Sequence, residues 1–511
     1  MYWRLKMIGK IKSLEELSEI TEILRNRDGQ IIVHCHGVFD LFHPGHLEHL
    51  RLAKKLGDIL VVTITPDKYV DKGPNRPVFN HNVRTSVLSA LEMVDFVSVN
   101  TGKSAVSAIL GLRPDIFVKG TEYQNLNDLS GFIRDEKIAV ESIGGRIEFV
   151  SGEIFSSSNL LNQYFNIFSD SVSPYLGLLQ SQFSFQSIIS NLESIRDKKI
   201  LVVGDNIFHE YFLCHADAAI SPDSSAINAC LVGKEKKIAG AGAIANFISQ
   251  YCEQVTFLTH VNNTRDEEFL VEDLLNNNVL LHRIISEDPS LNVEQFFHTS
   301  RTKLFHLSIR NNNRISDPVK DQILKFLRDN SRKYDAVFVA DLGYNFIDLD
   351  IASEISTLPC FTAVHTQTRL PNVCANSARK YNTVDFICLN ETEIRTEYQD
   401  DITSLDTLMK TLSEDISCPS VSITLGAVGA KIWNKSTGIT KSPALTTEVI
   451  DTIGAKEGFF SIAGLSAMSG ANSELINFLG NVAGSMMVRS HGFGESLGSE
   501  NTCRFIETIL K

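Results

Sequence analysis

Two histidines three residues apart, His43 and His46, enclose Pro44-Gly45 shortly after an apolar strand and a glycine turn. The run reads Val33-His34-Cys35-His36-Gly37-Val38-Phe39-Asp40-Leu41-Phe42-His43-Pro44-Gly45-His46. An imidazole donates a hydrogen bond to a phosphoryl oxygen, and as imidazolium it also offsets charge in an anionic pocket. Backbone N–H groups opening a helix add donors at the positive end of the helix dipole. Gly37 lets backbone approach a ligand closely. Pro44 suits a first helical turn because it has no N–H to leave unpaired, and Gly45 leaves room above the two rings. This combination suits nucleotidyl transfer, in which a nucleoside triphosphate is held by its phosphates and pyrophosphate leaves with its charge stabilised. Metal ligation by the same pair stays open as an alternative, but no third partner stands at ligand spacing, so no metal ligand is assigned to the protein.

Further cations follow at regular points. Lys72 and Arg76 lie in Asp71-Lys72-Gly73-Pro74-Asn75-Arg76-Pro77-Val78-Phe79, a loop after the second predicted strand. Arg84 opens the next predicted helix, and Lys119-Gly120 ends a later strand. Loops at the carboxyl ends of strands line the ligand crevice of an open parallel sheet, so these groups are expected to converge on one polyanion. Ser156-Ser157-Ser158, followed by Asn159, can cap a helix whose N–H groups face phosphate. No activated serine or cysteine is apparent. A phosphate acceptor is already an anion and needs no general base, so transfer requires mainly that two substrates be positioned for in-line attack.

The frame that positions these groups is legible in the apolar runs. Strands are predicted at 31–33, 58–64, 96–99, 116–118 and 146–149, and helices at 46–56, 82–91 and 104–110, after a helical lead-in over 1–30. Strand and helix alternate, which argues a parallel sheet with helices on both faces. The first domain is therefore expected to be a Rossmann-like α/β unit over residues 1–165. Residues 166–197 are polar and serine-rich, with a helical stretch near 184–195, and read as a linker. A second α/β unit opens at Lys199-Ile200-Leu201-Val202-Val203-Gly204-Asp205 and covers 198–511, with further buried strands at 336–340, 386–389 and 421–425. A length of 511 residues suits two or three domains.

Composition narrows the class. Hydrophobic residues make up 43% and charged residues 21%, as in a soluble globular protein. A net charge of -13, without a long Lys/Arg cluster, argues against a general nucleic-acid binder. No run is long and apolar enough for a membrane span, and the N-terminus lacks the apolar core of a signal peptide. The nine cysteines show no zinc-site spacing and suit reduced thiols, so a cytoplasmic protein is expected.

Residues 35–50, the loop Lys72-Gly73-Pro74-Asn75-Arg76-Pro77-Val78, Val94-Asp95-Phe96-Val97, Pro114-Asp115-Ile116-Phe117-Val118-Lys119-Gly120 and Ser156-Ser157-Ser158 together resemble the cytidylyltransferase-like nucleotidyltransferase superfamily with its HxGH motif. The resemblance covers 31–165 and is closest to the heptose-1-phosphate adenylyltransferase and glycerol-3-phosphate cytidylyltransferase types. It implies that His43 and His46 contact the triphosphate and stabilise the transition state. It implies that Lys72 reaches phosphate between the two substrates, that Arg84 holds pyrophosphate, and that Ser156 and Ser157 contact the triphosphate from the far side. Nucleotide-binding roles are implied for Gly37, Val38, Phe39, Asp40, Gly45, Arg76, Lys119 and Gly120, with Asp40 fixing the loop or the nucleotide. The resemblance also implies Mg²⁺. CTP and ATP are both open as substrate, with a sugar phosphate or polyol phosphate as acceptor.

The second unit resembles the ribokinase-like (PfkB) sugar kinases of the heptose-7-phosphate kinase type. The likeness rests on Gly204-Asp205, Ile220-Ser221-Pro222, Gly240-Ala241-Gly242 with Asn246, Thr302-Lys303-Leu304, Asn390-Glu391-Thr392-Glu393, Thr424-Leu425-Gly426 with Gly429, and Asp451-Thr452-Ile453-Gly454-Ala455. The bifunctional heptose kinase/adenylyltransferase carries the kinase first, and this chain reads in the reverse order. The family turn Asp-Thr-x-Gly-Ala-Gly-Asp stands here as Asp451-Thr452-Ile453-Gly454-Ala455-Lys456-Glu457. Lys456 puts a bulky side chain where glycine lets phosphate reach backbone N–H groups. Glu457 moves the base carboxylate by one methylene, and a displacement near 1 Å can cost about 10²-fold in rate. His209 stands where the pattern has an aspartate for sugar hydroxyls, and Phe305 where heptose kinases tend to carry arginine. The candidate site of this unit is Asp205, His209, Asn246, Asn390, Glu393, Asp451, Gly454, Lys456 and Glu457. The departures make an inactive or repurposed kinase domain the expectation, serving as a platform for a homodimer.

The leading expectation is a Mg²⁺-dependent nucleotidyltransferase that activates a sugar or polyol phosphate for surface-polysaccharide synthesis. Its partners are small substrates, with neither nucleic acid nor membrane, and a second copy of the chain. Two alternatives stand beside it: a bifunctional sugar kinase/nucleotidyltransferase with an active second domain, and a non-enzymatic nucleotide-sensing scaffold.

Overall fold

The computed structural model describes residues 9–70, 76–121, 132–150, 171–216, 228–262, 267, 271–272, 274–276, 278–287, 292–299, 302–310, 314–368, 376–489 and 497–510. The chain divides into two compact units. One is 1–169 with 503–511, and the other is 170–502.

The first unit opens with α1 (Leu14–Asp28), then alternates β1 (Ile32–Gly37), α2 (Pro44–Lys54), β2 (Ile59–Ile64), α3 (His81–Ser89), β3 (Phe96–Val99), α4 (Val106–Leu112), β4 (Ile116–Gly120), α5 (Phe132–Ser142) and β5 (Arg146–Val150). The five strands form one sheet in the order β3-β2-β1-β4-β5, every neighbour parallel. Chain order reverses direction across the sheet at β1, so a crevice opens between the carboxyl ends of β1 and β4. β2 is buried at all six positions, as a parallel strand covered on both faces must be. Leu50, Leu60, Val62, Leu88 and Val118 pack on one face, and Leu17, Leu24, Val61, Phe96 and Leu112 on the other.

Two differences from the sequence reading bear on function. β1 runs four residues past Val33, to Gly37, so His34, Cys35 and His36 belong to the strand. Polar side chains ended the predicted strand too early, because the sheet supplies them with buried partners. α2 begins at Pro44 rather than His46, which makes His43 its N-cap. α5 had no counterpart in the reading.

The second unit is built on a nine-stranded sheet and a separate four-stranded one. Its elements are α6 (Val172–Gln182), α7 (Phe185–Glu193), β6 (Lys199–Gly204), β7 (Asn206–Ala216), β8 (Ala229–Ala239), α8 (Gly240–Ile248), β9 (Gln254–Asn262), β10 (Val279–Ser286), β11 (Asn292–His298), β12 (Lys303–Ile309), α9 (Asp317–Asn330), β13 (Ala336–Asp341), α10 (Leu349–Ile355), β14 (Phe361–Thr366), β15 (Phe386–Asn390), α11 (Glu391–Tyr398), α12 (Leu405–Asp415), β16 (Ser420–Thr424), β17 (Ala430–Asn434), β18 (Gly438–Ser442), α13 (Ala455–Met468) and α14 (Ser473–Met487). The last helix, α15 (Ser499–Ile509), begins in this unit, and its residues from 503 on are counted with the first. The large sheet runs β10-β9-β6-β13-β14-β15-β16-β17-β18, parallel from β10 to β16 and antiparallel thereafter. The small sheet runs β12-β11-β7-β8. Both folds are α/β. The segment read as a linker carries α6 and α7, whose Leu176, Leu179, Ile188 and Ile189 are buried. Among the described residues no helix is long and apolar enough to cross a membrane.

Candidate functional site

β1 ends at Gly37, and the chain turns sharply before α2. Phe39 and Leu41 both adopt positive φ, at 51° and 43°. Non-glycine residues rarely take this conformation, and it persists where the surroundings over-determine it. A Cβ at Gly37 would come within 3.1 Å of the Phe39 ring, so a larger residue would need that ring to shift. The turn delivers His43, buried, to the N-cap of α2 and His46 to its first turn. The two imidazoles stack with ring centroids 3.8 Å apart and planes 23° apart. Phe39 meets the His46 ring edge-on at 5.3 Å, and Phe42 lies at 5.5 Å. Spacing alone indicated a shared location, and the fold makes it a face-to-face pair at the dipole-positive end of a helix.

Asp40 and Arg76 organise the neighbouring loop. The buried Asp40 carboxylate accepts from the Val78 N–H at 2.8 Å and the Phe79 N–H at 3.1 Å. Burial lowers the Arg76 guanidinium to about 10, against the charge of Asp40, which raises it. Lys72, Ser156 and Ser157 lie outside the described residues. Lys119, at the end of β4, pairs with the buried Glu136 at 2.8 Å, and Glu136 also accepts from the Ala105 N–H. Gly120 ends the same strand, Val38 offers its carbonyl to Arg84, and Gly45 lies in the first turn of α2.

Arg84, expected to hold pyrophosphate, is engaged by protein acceptors in this structure. Its side chain is 1% exposed and donates to Phe79 O at 2.9 Å, Val38 O at 2.6 Å, Thr65 O at 2.9 Å and Asp67 Oδ1 at 2.5 Å. A guanidinium with four protein acceptors is a tie among the turn after β1, the end of β2 and the loop before α3. Asp67 completes the tie by also meeting His81 Nδ1 at 2.7 Å. Burial pushes the Asp67 carboxyl up, but hydrogen bonds from Arg84 and His81 outweigh it and hold the group below its ordinary value.

The sequence reading passed over His34 and His36. They alternate along β1 and meet the same hydroxyl, each 2.8 Å from Thr63 Oγ1, and His36 Nε2 lies 3.3 Å from Thr65 Oγ1. Burial, reinforced by the charge of Lys119, lowers His34 to about 3 and holds His36 well below the usual imidazole value. Both rings are therefore neutral at pH 7. Period-2 spacing of polar residues into the glycine turn was the available signal.

The second candidate site gathers in two places. Asp451, buried ahead of α13, accepts from Lys303 Nζ at 2.6 Å and from the Ile453 N–H at 3.2 Å. Gly454, the N-cap of α13, needs its positive φ of 84°. Burial, with the charges of Asp451 and Glu457, pushes the Tyr211 phenol on β7 up. His209, also buried on β7, meets Tyr211 Oη at 3.4 Å and the Phe296 ring edge-on at 5.0 Å. Asp205 is buried between β6 and β7. At the second place Asn390 caps α11 in a reciprocal box with Glu393, at 2.8 and 2.7 Å. Glu393 also accepts a short hydrogen bond from Lys456 Nζ, which reaches Thr366 O at 3.1 Å. Asn246 donates to Leu274 O at 3.0 Å and accepts from the Asn276 N–H at 2.9 Å, which ties α8 to that segment.

Comparisons with known proteins agree with this division. The description "Cytidylyltransferase-like" matches residues 34–163, and "pfkB family carbohydrate kinase" matches 234–499. The chain is 40% identical over 157 residues to "Bifunctional protein HldE" of Campylobacter fetus, covering 30% of this chain and 31% of that protein. It is 38% identical over 144 residues to the protein of the same name from Syntrophotalea carbinolica, covering 28% of each. These matches span about a third of the relatives' length. The crystal structure of Escherichia coli phosphofructokinase-2 with substrates and products aligns with a TM-score of 0.50 at 13% identity, over 62% of this chain and 100% of that one, a likeness of fold.

Proposed function

The chain belongs to the pfkB family of carbohydrate kinases and carries a cytidylyltransferase-like domain ahead of that match, and on this premise we propose that its first unit transfers a nucleoside monophosphate from CTP or ATP to a sugar or polyol phosphate, releasing pyrophosphate. The observation that carries the reading is the stacked His43–His46 pair at the start of α2. The HldE relatives, matched over part of their length, support the same class of reaction.

An oxygen of the acceptor phosphate forms the new bond to the α-phosphorus. The bond from that phosphorus to the bridging oxygen breaks, and pyrophosphate leaves with the electron pair. His43 and His46 donate hydrogen bonds to phosphoryl oxygens as charge develops on them, aided by the N–H groups opening α2. Lys72, Ser156 and Ser157 join as further phosphate-binding groups. Asp40 and Arg76 hold the loop between β2 and α3, Lys119 and Gly120 border the crevice, and Arg84 acts as a positioning residue through the turn it ties down. The substrate is the magnesium complex of the triphosphate. Among the described residues no cluster of three or more His, Cys, Asp or Glu is placed to hold a metal, so a magnesium ion would enter with the triphosphate and would offset its charge.

The second unit, in this reading, does not phosphorylate sugar and serves as a platform for a homodimer in a cytoplasmic enzyme of surface-polysaccharide synthesis. A bifunctional reading draws support from the buried Asp451 ahead of α13 and from Glu457, which keeps a carboxylate in the first turn of that helix. Incubating the full chain with each nucleoside triphosphate, candidate phosphates and Mg²⁺ tests the proposal through pyrophosphate release. Transfer at full rate after His46→Ala would overturn it. Acceptor-dependent ADP formation would favour the bifunctional reading.

A further inference from the structure

Lys456 and Glu393 lie 63 positions apart in sequence, near the starts of two different helices, α13 and α11. The fold brings them into direct contact. Glu393 is 4% exposed at its side chain and Lys456 is 16% exposed. The ammonium donates to a carboxylate oxygen of Glu393 and to the carbonyl oxygen of Thr366, the last residue of β14. Asn390, at the end of β15, locks Glu393 in place through the reciprocal capping box. These oxygens stand at the carboxyl ends of adjacent parallel strands, where open α/β sheets place their ligands.

A buried carboxylate oxygen beside a backbone carbonyl oxygen is the donor type that suits a hard divalent cation. Here the chain's own ammonium already holds both. Bringing a metal ion to Glu393 would mean displacing a buried, hydrogen-bonded partner of opposite charge.

We infer that Lys456 is a tethered cation that takes the place of a divalent metal at Glu393, so that this edge of the second unit is neutralised from within and admits no metal ion. The inference deepens the reading of that unit as non-phosphorylating, since a metal-bridged triphosphate finds its carboxylate occupied. The same geometry explains why a lysine is tolerated where the family turn has glycine: its side chain folds away from the helix start onto the neighbouring strand ends.

The test is Mn²⁺ binding to the full chain without nucleotide, read by electron paramagnetic resonance and calorimetry. Wild type and Glu393→Gln are expected to bind Mn²⁺ alike. Lys456→Gly is expected to gain a Mn²⁺ site that Lys456→Gly/Glu393→Gln loses. A wild-type site removed by Glu393→Gln would overturn the inference, as would a folded Lys456→Gly with no gain. Should Lys456→Gly fold poorly, Lys456→Ala carries the same comparison with a residue that favours the helix. The readout is metal occupancy rather than transfer, so failure here is distinguishable from failure of the nucleotidyl-transfer proposal.

Discussion

Arg84 and Asp67 form an ion pair, Nη2 to Oδ1 at 2.5 Å, in which the guanidinium is 1% exposed and the carboxylate 31%. The pair joins the start of α3 to the end of β2, and through Val38 it reaches the turn that carries the histidines. Removing the guanidinium leaves three carbonyls and a carboxylate without it. Arg84→Ala is expected to destabilise the first unit by about 3–5 kcal/mol. Arg84→Lys keeps the charge but cannot span four acceptors, and is expected to cost about 1–3 kcal/mol. Urea unfolding followed by fluorescence and circular dichroism checks both.

His46→Ala removes one of two stacked phosphate donors while leaving the core of α2 intact, since Leu50 and Ala53 carry its burial. Pyrophosphate release is expected to fall on the order of 10²–10³-fold, with the melting temperature nearly unchanged. An equal fall in stability would instead assign the ring to packing.

Asp40→Ala leaves the Val78 and Phe79 N–H groups without their carboxylate. The loop between β2 and α3 should loosen, at a cost of about 1–3 kcal/mol. A higher KM for the triphosphate is expected, with a smaller change in kcat. Asp40→Asn, which retains an acceptor oxygen, should restore much of both.

His34 predicts an acid-sensitive stability. Its folded-state value is about 3, because burial and then Lys119 disfavour the imidazolium, whereas the ordinary value is 6.5. Between these values the unfolded chain binds a proton that the folded chain does not, so stability is full above pH 6.5 and is lost as pH falls toward 3. The slope is about 1.4 kcal/mol per pH unit for this residue. His36, also lowered by burial, acts in the same direction. His34→Gln keeps a hydrogen-bonding partner for Thr63 without titrating, and should flatten the dependence measured by urea unfolding between pH 6 and pH 4.

Much of the architecture was written locally. Runs such as Ile59–Ile64 and Phe96–Val99 are strands wherever they are buried, and Pro44 marks a helix start by its own backbone chemistry. β1 was foreshortened because His34 and His36 are polar, and their tolerance inside a sheet depends on Thr63, nearly thirty residues away. The four-stranded sheet was also missed. β7 pairs with β11 across about 85 positions, so the sheet is not closed by local contacts, and its outer strands expose apolar side chains such as Leu231, Val232, Phe305 and Leu307 that blur a strand's alternation.

The amino-acid order alone determined that His43 and His46 come together at a helix start, because a glycine turn, a proline and a three-residue histidine spacing act within one turn of chain. The tertiary structure decided what each cation does. Arg84 and Lys456 are both positive in the sequence, yet one ties a turn together and the other neutralises Glu393. A charge's role follows from the acceptors that surround it, and those acceptors come from distant strands that meet only when the sheets form.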